Sequence, residues 1–132
     1  MEDIIFCLNF IVYMDIEAFR EYCLAKKGVE ESFPFGSDTL VFKVIGKVFA
    51  LTSLSAIPFT VNLKMDADIV PEYRERYEDV QPGFHMNKKM WNTVCFDSGG
   101  VPKKELLWMV DHSYDQVVAG LTRKLRDELK EL

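Results

Sequence analysis

The spacing of hydrophobic positions changes period along the chain, and each change marks an element. Asp15 is a good N-cap for the run IEAFREYCLAKKG, in which Ile16, Phe19, Cys23 and Leu24 recur at helical spacing and mark one buried face. Lys26 and Lys27 fall in the predicted last turn, where they favour the helix dipole, and Gly28 supplies the stop. From residue 29 to residue 65 the period is two. Strands are predicted over 29–33, 39–45, 48–52 and 59–65, with a loop at 34–38 and another at 53–58. Gly46-Lys47 is the expected two-residue hairpin turn between the second and third. In the fourth, Phe59, Val61, Leu63 and Met65 face one way, while Thr60, Asn62 and Lys64 face the other.

Helical spacing returns over 66–77, with Asp66 or Asp68 as cap and Pro71 tolerated in the first turn. Glu72, Arg74, Glu75, Arg76 and Glu78 read as its mixed-sign, solvating side. Residues 80–91 are irregular around Pro82-Gly83, 91–96 read as a last strand, and 97–100 as a turn. Pro102 then opens a long helix with an apolar stripe of Leu106, Leu107, Val110, Tyr114, Val117, Val118 and Leu121, ended or bent at Gly120. The tail, 121–132, is a further amphipathic turn or two with Leu121, Leu125, Leu129 and Leu132 spaced for burial. These elements describe an α+β fold. An antiparallel sheet, apolar on one face, needs helices to cover that face and leaves its polar face open.

Residues 1–13, MEDIIFCLNFIVY, differ in character from the rest of the chain. The run is too short to span a membrane and lacks the basic start and cleavage site of a signal peptide. It reads either as a buried strand or as an upstream extension of a chain whose start is Met14. The complete helix signal at Asp15 favours the second, with residues 14–132 as a single domain.

Sixteen basic and 21 acidic residues give a formal charge of −5, against nucleic-acid binding through bulk charge. Residues 1–42 carry −5, residues 43–91 carry +1 and residues 92–132 carry −1, so only the middle third can gather a basic surface. Three separated cysteines without a CxxC pair suggest neither a disulfide framework nor a zinc site, and point to a reducing, cytoplasmic setting.

The catalytic inventory is thin. Asp111, His112 and Ser113 are neighbours on one helix and point to different faces, so they cannot form a triad. Cys95 with His85 as base is a conceivable nucleophile pair, but Cys95 sits in a strand between Val94 and Phe96. No phosphate loop, metal-ligand spacing or cofactor motif occurs, and the expectation is a protein that is not an enzyme. The informative stretch is GFHMNKKMWNTV, which brings His85, Asn87, Lys88, Lys89 and Trp91 into one loop-to-strand junction. Cations beside a flat aromatic suit a phosphate backbone with a base or sugar alongside. The competing reading anchors Trp91 in the core and spends His85 and Asn87 on hydrogen bonds to irregular backbone. The polar sheet face adds Lys43, Lys47 or Lys64, depending on register.

Six segments resemble the MmcQ/YjbR family of small bacterial proteins in order and spacing. They are FPFG (33–36), FKVIGKVFAL (42–51), VNLK (61–64), RERY (74–77), HMNKKMWNTV (85–94) and SYDQV (113–117). The resemblance covers residues 15–121, and Met90 stands where the family usually has His before the Trp. It implies a CyaY-like sheet covered by helices on one side, a double-wing arrangement proposed to contact DNA. A frataxin-like iron site would need clustered surface carboxylates, and Glu17, Glu21, Glu30 and Glu31 lack convincing spacing. The leading expectation is a DNA-binding or regulatory module. It would hold duplex DNA weakly and in a salt-dependent way through Lys88, Lys89, Trp91, His85, Asn87, Lys64, Lys47 and Lys43. The alternative is a protein-interaction or small-ligand-binding domain, without nucleic-acid affinity, that uses the exposed sheet and the 83–91 loop.

Overall fold

The computed structural model describes residues 14–132, so both readings of residues 1–13 lie outside the described residues. Among the described residues four helices and six strands follow in the order α1 (Ile16–Leu24), β1 (Val29–Ser32), β2 (Thr39–Val44), β3 (Lys47–Ser53), β4 (Thr60–Lys64), α2 (Ile69–Arg76), β5 (Val80–Pro82), β6 (Trp91–Cys95), α3 (Lys103–Ala119) and α4 (Arg123–Glu131). The strands form one antiparallel sheet in the order β1-β2-β3-β4-β6-β5. This is the α+β architecture that the change of period predicts. The short edge strand β5 departs from it, lying inside the stretch that reads as irregular, because three residues are too few to show alternation.

Helix α1 starts as its sequence dictates, with the Asp15 carboxylate accepting from the Ala18 amide at 2.8 Å. It ends at Leu24, about a turn earlier than expected, and Gly28 takes a φ of +74° as the chain turns into β1. Lys26 and Lys27 are therefore not dipole-complementing residues. Lys26 pairs with Asp111 of α3, and Lys27 donates to the Lys130 carbonyl of α4 at 3.0 Å. The hairpin turn between β2 and β3 is Ile45-Gly46, one residue before the expected Gly46-Lys47. Both Ile45 and Gly46 have positive φ, as a turn matched to the strand twist requires. The tail buries Leu121, just before α4, and Leu129 within it, but leaves Leu132 exposed at the end of the chain.

The core lies between the sheet and its helices. Phe19 of α1 touches Phe42, Phe59 and Phe96 edge to face, with ring centroids 5.4 to 5.8 Å apart. Phe42 and Val44 of β2, Val61 and Leu63 of β4, and Val94 of β6 point to the same side. Helix α3 covers β3 and β4 with Leu106, Met109, Val110, Ser113 and Val117 buried. Ser113 interrupts the apolar stripe for a reason. Its hydroxyl donates to the Phe49 carbonyl of β3 and accepts from the Lys64 amide at 2.9 Å, bridging helix and sheet just past the paired residues of β3 and β4. His112 is spent similarly, accepting from the Asp66 amide at 3.1 Å while stacking on Trp108. The neighbours Asp111, His112 and Ser113 thus serve three different contacts.

Candidate functional site

Strand register decides which polar residues share the uncovered face. Thr60, Asn62 and Lys64 of β4 stand opposite Cys95, Thr93 and Trp91 of β6, so all six project from the open side. Lys43 of β2 also projects there, opposite Glu30 of β1. Lys47 does not. It pairs with Val44, a core residue, and is turned to the helix side of the sheet beyond the core. The expectation that Lys47 could join Lys43 and Lys64 fails because the turn falls one residue earlier and places Lys47 in the strand, opposite Val44.

Between residues 83 and 91 the chain is fixed by its own backbone and by one arginine. Arg74 of α2, expected to be a solvating residue, reaches through to this loop. Its guanidinium donates to the Asn92 side chain at 2.6 Å, to the Trp91 carbonyl at 3.2 Å and to the Lys88 carbonyl. Asn92, wholly buried, donates in turn to the Val70 carbonyl at 3.1 Å. Asn87 closes a local turn by accepting from the Lys89 amide at 2.9 Å. The Lys88 ammonium donates to the Gly83 carbonyl at 2.9 Å, so that cation is partly committed to the loop. Lys89 is exposed. Trp91 is half-buried on the open face and lies outside the helix-covered core. Trp91 leaves no room for a side chain at residue 83, where a Cβ would come within 2.9 Å of both the Trp91 Cβ and the Trp91 carbonyl oxygen.

The same face contains a groove of about 550 Å³. Its floor is made by Leu51 and Ser53 of β3, Thr60 and Asn62 of β4, and Thr93 of β6. Phe35, from the loop after β1, forms one wall, and Phe84, His85 and Met86 form the other. Phe35 and Phe84 are 72% and 68% exposed, unusual for aromatic rings outside a binding surface. His85 holds a left-handed backbone, φ +59°, and its ring lies 4.0 Å from that of Phe84. Among the described residues no Lys, Arg, Asp or Glu lines the groove. The nearby Asp38 carboxylate accepts from Ser53 at 2.6 Å, and its hydrogen bonds from Ser53 and Ser55 hold its pKa below the usual carboxylate value.

A relay orders the floor. The Phe84 amide donates to the Thr93 hydroxyl at 2.9 Å, and that hydroxyl donates to the Asn62 carbonyl oxygen. With its oxygen occupied, Asn62 presents its NH₂ group without a partner among the described residues. Of the expected site residues, the structure brings Lys64, Trp91 and Lys43 to one face and His85 to the groove wall. Phe35, Phe84, Asn62 and Thr93 were missed. FPFG was visible as a motif, but only the sheet shows that Phe35 and Phe84 flank one cavity.

Cys95 is no activated thiol. It sits 3.4 Å from the Asp97 carboxylate, and burial raises its pKa. Glu31 is held by Arg20 in a two-pronged pair at 2.7 Å. Among the described residues no group of three His, Cys, Asp or Glu could hold a metal ion. A second recess between α2 and α3, beside Tyr73 and Trp108, measures only about 130 Å³, well below the roughly 300 Å³ of an ordinary ligand cleft. No helix among the described residues is long and apolar enough to cross a membrane.

Comparison with known proteins gives the family to which this chain and its fold belong. The YjbR family model matches residues 24–116, and the chain belongs to that family. It is similar to the YjbR protein of Escherichia coli K12, described as uncharacterised, at 33% identity over 119 residues that cover 90% of this chain and 100% of the relative. It is also similar to the YbdF protein of Escherichia coli O157:H7, at 35% identity over 82% of this chain and 88% of that one. The crystal structure of Deinococcus radiodurans DR2400, a DUF419 domain, superposes with a TM-score of 0.82 at 34% identity, covering 90% of each chain. A Pseudomonas syringae protein shares the fold, with a TM-score of 0.67 at 24% identity, over 78% of this chain and 98% of that one.

Proposed function

We propose that this protein is a recognition module that holds a small, largely uncharged and apolar group in the groove on the open face of its sheet. One observation carries the reading. The face that helices leave uncovered has a cleft of about 550 Å³ walled by exposed aromatic rings and floored by a few fixed polar groups. That is the size and chemistry of an ordinary small-molecule site. Among the described residues no histidine or cysteine is hydrogen-bonded to a groove hydroxyl, and the Asp38 carboxylate that accepts from Ser53 is held below the usual carboxylate pKa and so is a poor base, which favours binding over catalysis. The test is a fragment screen by protein-observed NMR, with Phe84→Ala as control. Aromatic fragments should shift the Asn62 and Thr93 amides, and the substitution should abolish those shifts while leaving the fold intact. A screen with no hits at these positions overturns the reading.

Duplex DNA is the second reading, favoured by Lys43, Lys64 and Trp91 on one face with exposed Lys89 in the adjoining loop. About four phosphate contacts would give a log–log salt slope near −3.6, at about −0.9 per contact. Replacing Lys64 and Lys89 by Ala should reduce that slope by roughly 2. Fluorescence anisotropy of a labelled duplex over a salt series measures it. Absence of binding at low salt removes this reading.

A further inference from the structure

The groove's neutral floor continues directly into a cation, and that continuity limits what the groove can hold. Asn62 and Lys64 lie two apart on β4, so both project from the open face, about 7 Å apart along the strand. Lys64 stands directly opposite Trp91, and its ammonium has no hydrogen bond or ion pair among the described residues. Moving along the face from Phe84, a ligand therefore meets an exposed ring, then the unpartnered Asn62 NH₂ group, then Lys64 and Trp91, which are paired across the two strands. An aromatic surface binds a planar group, two fixed N–H donors bind a ring or carbonyl acceptor, and a free ammonium binds an anion.

We infer that the ligand is a small organic anion of nucleotide-like architecture: a planar ring bearing an acceptor, joined by a short linker to one anionic group. The ring packs on Phe84, its acceptor takes the Asn62 N–H donors, and the anion reaches Lys64. This rests on the groove reading above and adds the charge. A small anion is the occupant rather than a nucleic-acid strand, because the chain carries −5 overall. A polyanion meets that repulsion along its whole length, whereas a single anionic group meets chiefly the local field of Lys64.

The experiment titrates the full chain, its Lys64→Gln and its Phe84→Ala variants by calorimetry. The probes are uridine 5′-monophosphate, uridine, inorganic phosphate and an oligothymidylate, each at low and at physiological salt. Thermal unfolding of the variants controls for folding. The monophosphate should bind more tightly than uridine, and phosphate alone should not register. Lys64→Gln should weaken the monophosphate about fivefold, the upper range for one exposed charge contact, and leave uridine unchanged. Phe84→Ala should weaken both. Equal binding of monophosphate and uridine, unaffected by Lys64→Gln, overturns the anionic part and leaves the groove reading standing. Failure of all four probes while aromatic fragments still shift Asn62 does the same. Failure of probes and fragments together overturns both. Tighter binding of the oligothymidylate than of the monophosphate overturns the choice of a small ligand over a strand.

Discussion

The two faces of this sheet are built from the same six strands by the same alternation, and they solve opposite problems. On the helix side the buried polar side chains have fixed partners. Asn92 is held by Arg74 and Val70, and Ser113 by Phe49 and Lys64. On the open side, polar groups are left unspent, as at Asn62 and Lys64, and aromatic rings stay exposed. The first pattern is what a stable interior demands, since an unpaired buried polar atom costs about 1–3 kcal/mol. The second contributes little to stability and leaves donors available to something outside the chain. Aromatic rings thus mean different things on the two faces: Phe19 is wholly buried against three others, whereas Phe84 is largely in water.

Substitutions should separate the faces sharply. Phe19→Ala should cost about 3–5 kcal/mol in chemical denaturation, as truncation of a fully packed aromatic does. A loss under about 1 kcal/mol would show that the ring cluster is not the centre of stability. Ser113→Ala should cost about 1–3 kcal/mol, because it strands the Phe49 carbonyl and the Lys64 amide together. Faster hydrogen exchange at the Lys64 amide should accompany it. Phe84→Ala should change stability by less than about 0.5 kcal/mol while removing fragment binding; a larger loss would move Phe84 from recognition to structure.

The smallest expected effect is on pH dependence. Burial holds the His112 imidazole below its usual value, 6.5, and its neutral form accepts from the Asp66 amide. Near pH 6.5 the unfolded chain therefore takes up a proton that the folded chain resists. The stability this residue contributes is complete above that pH and is lost as the pH falls toward the lowered folded value. Denaturation curves at about pH 7.5 and about pH 6.0 should show the decline in the native chain and less of it in His112→Gln, which keeps an acceptor. Equal declines would assign the pH dependence elsewhere.

Much of the covered face was legible in the sequence. The Asp15 cap, the period-two run through β4 and the stripe of α3 each depend on neighbours in the chain, so local pattern specified them. The boundary errors share one cause. Helix α1 ends early and the hairpin turns a residue sooner because Lys26, Lys27 and Val44 answer to distant partners, on α3, α4 and the core. Arg74 reads as a surface residue for the same reason: its targets, Lys88, Trp91 and Asn92, lie 14 to 18 residues away.

What the sequence determined by itself was which residues alternate, and hence that one sheet face would be apolar and the other polar. Tertiary structure alone decided what the polar face contains. Register put Lys43 and Lys64 on it and turned Lys47 away, and sheet order set Phe35 and Phe84 at opposite sides of one cavity. The physical reason is that alternation is a local property of a strand. A groove is a property of which strands are neighbours, and strand pairing is fixed by long-range packing that no short window of sequence contains.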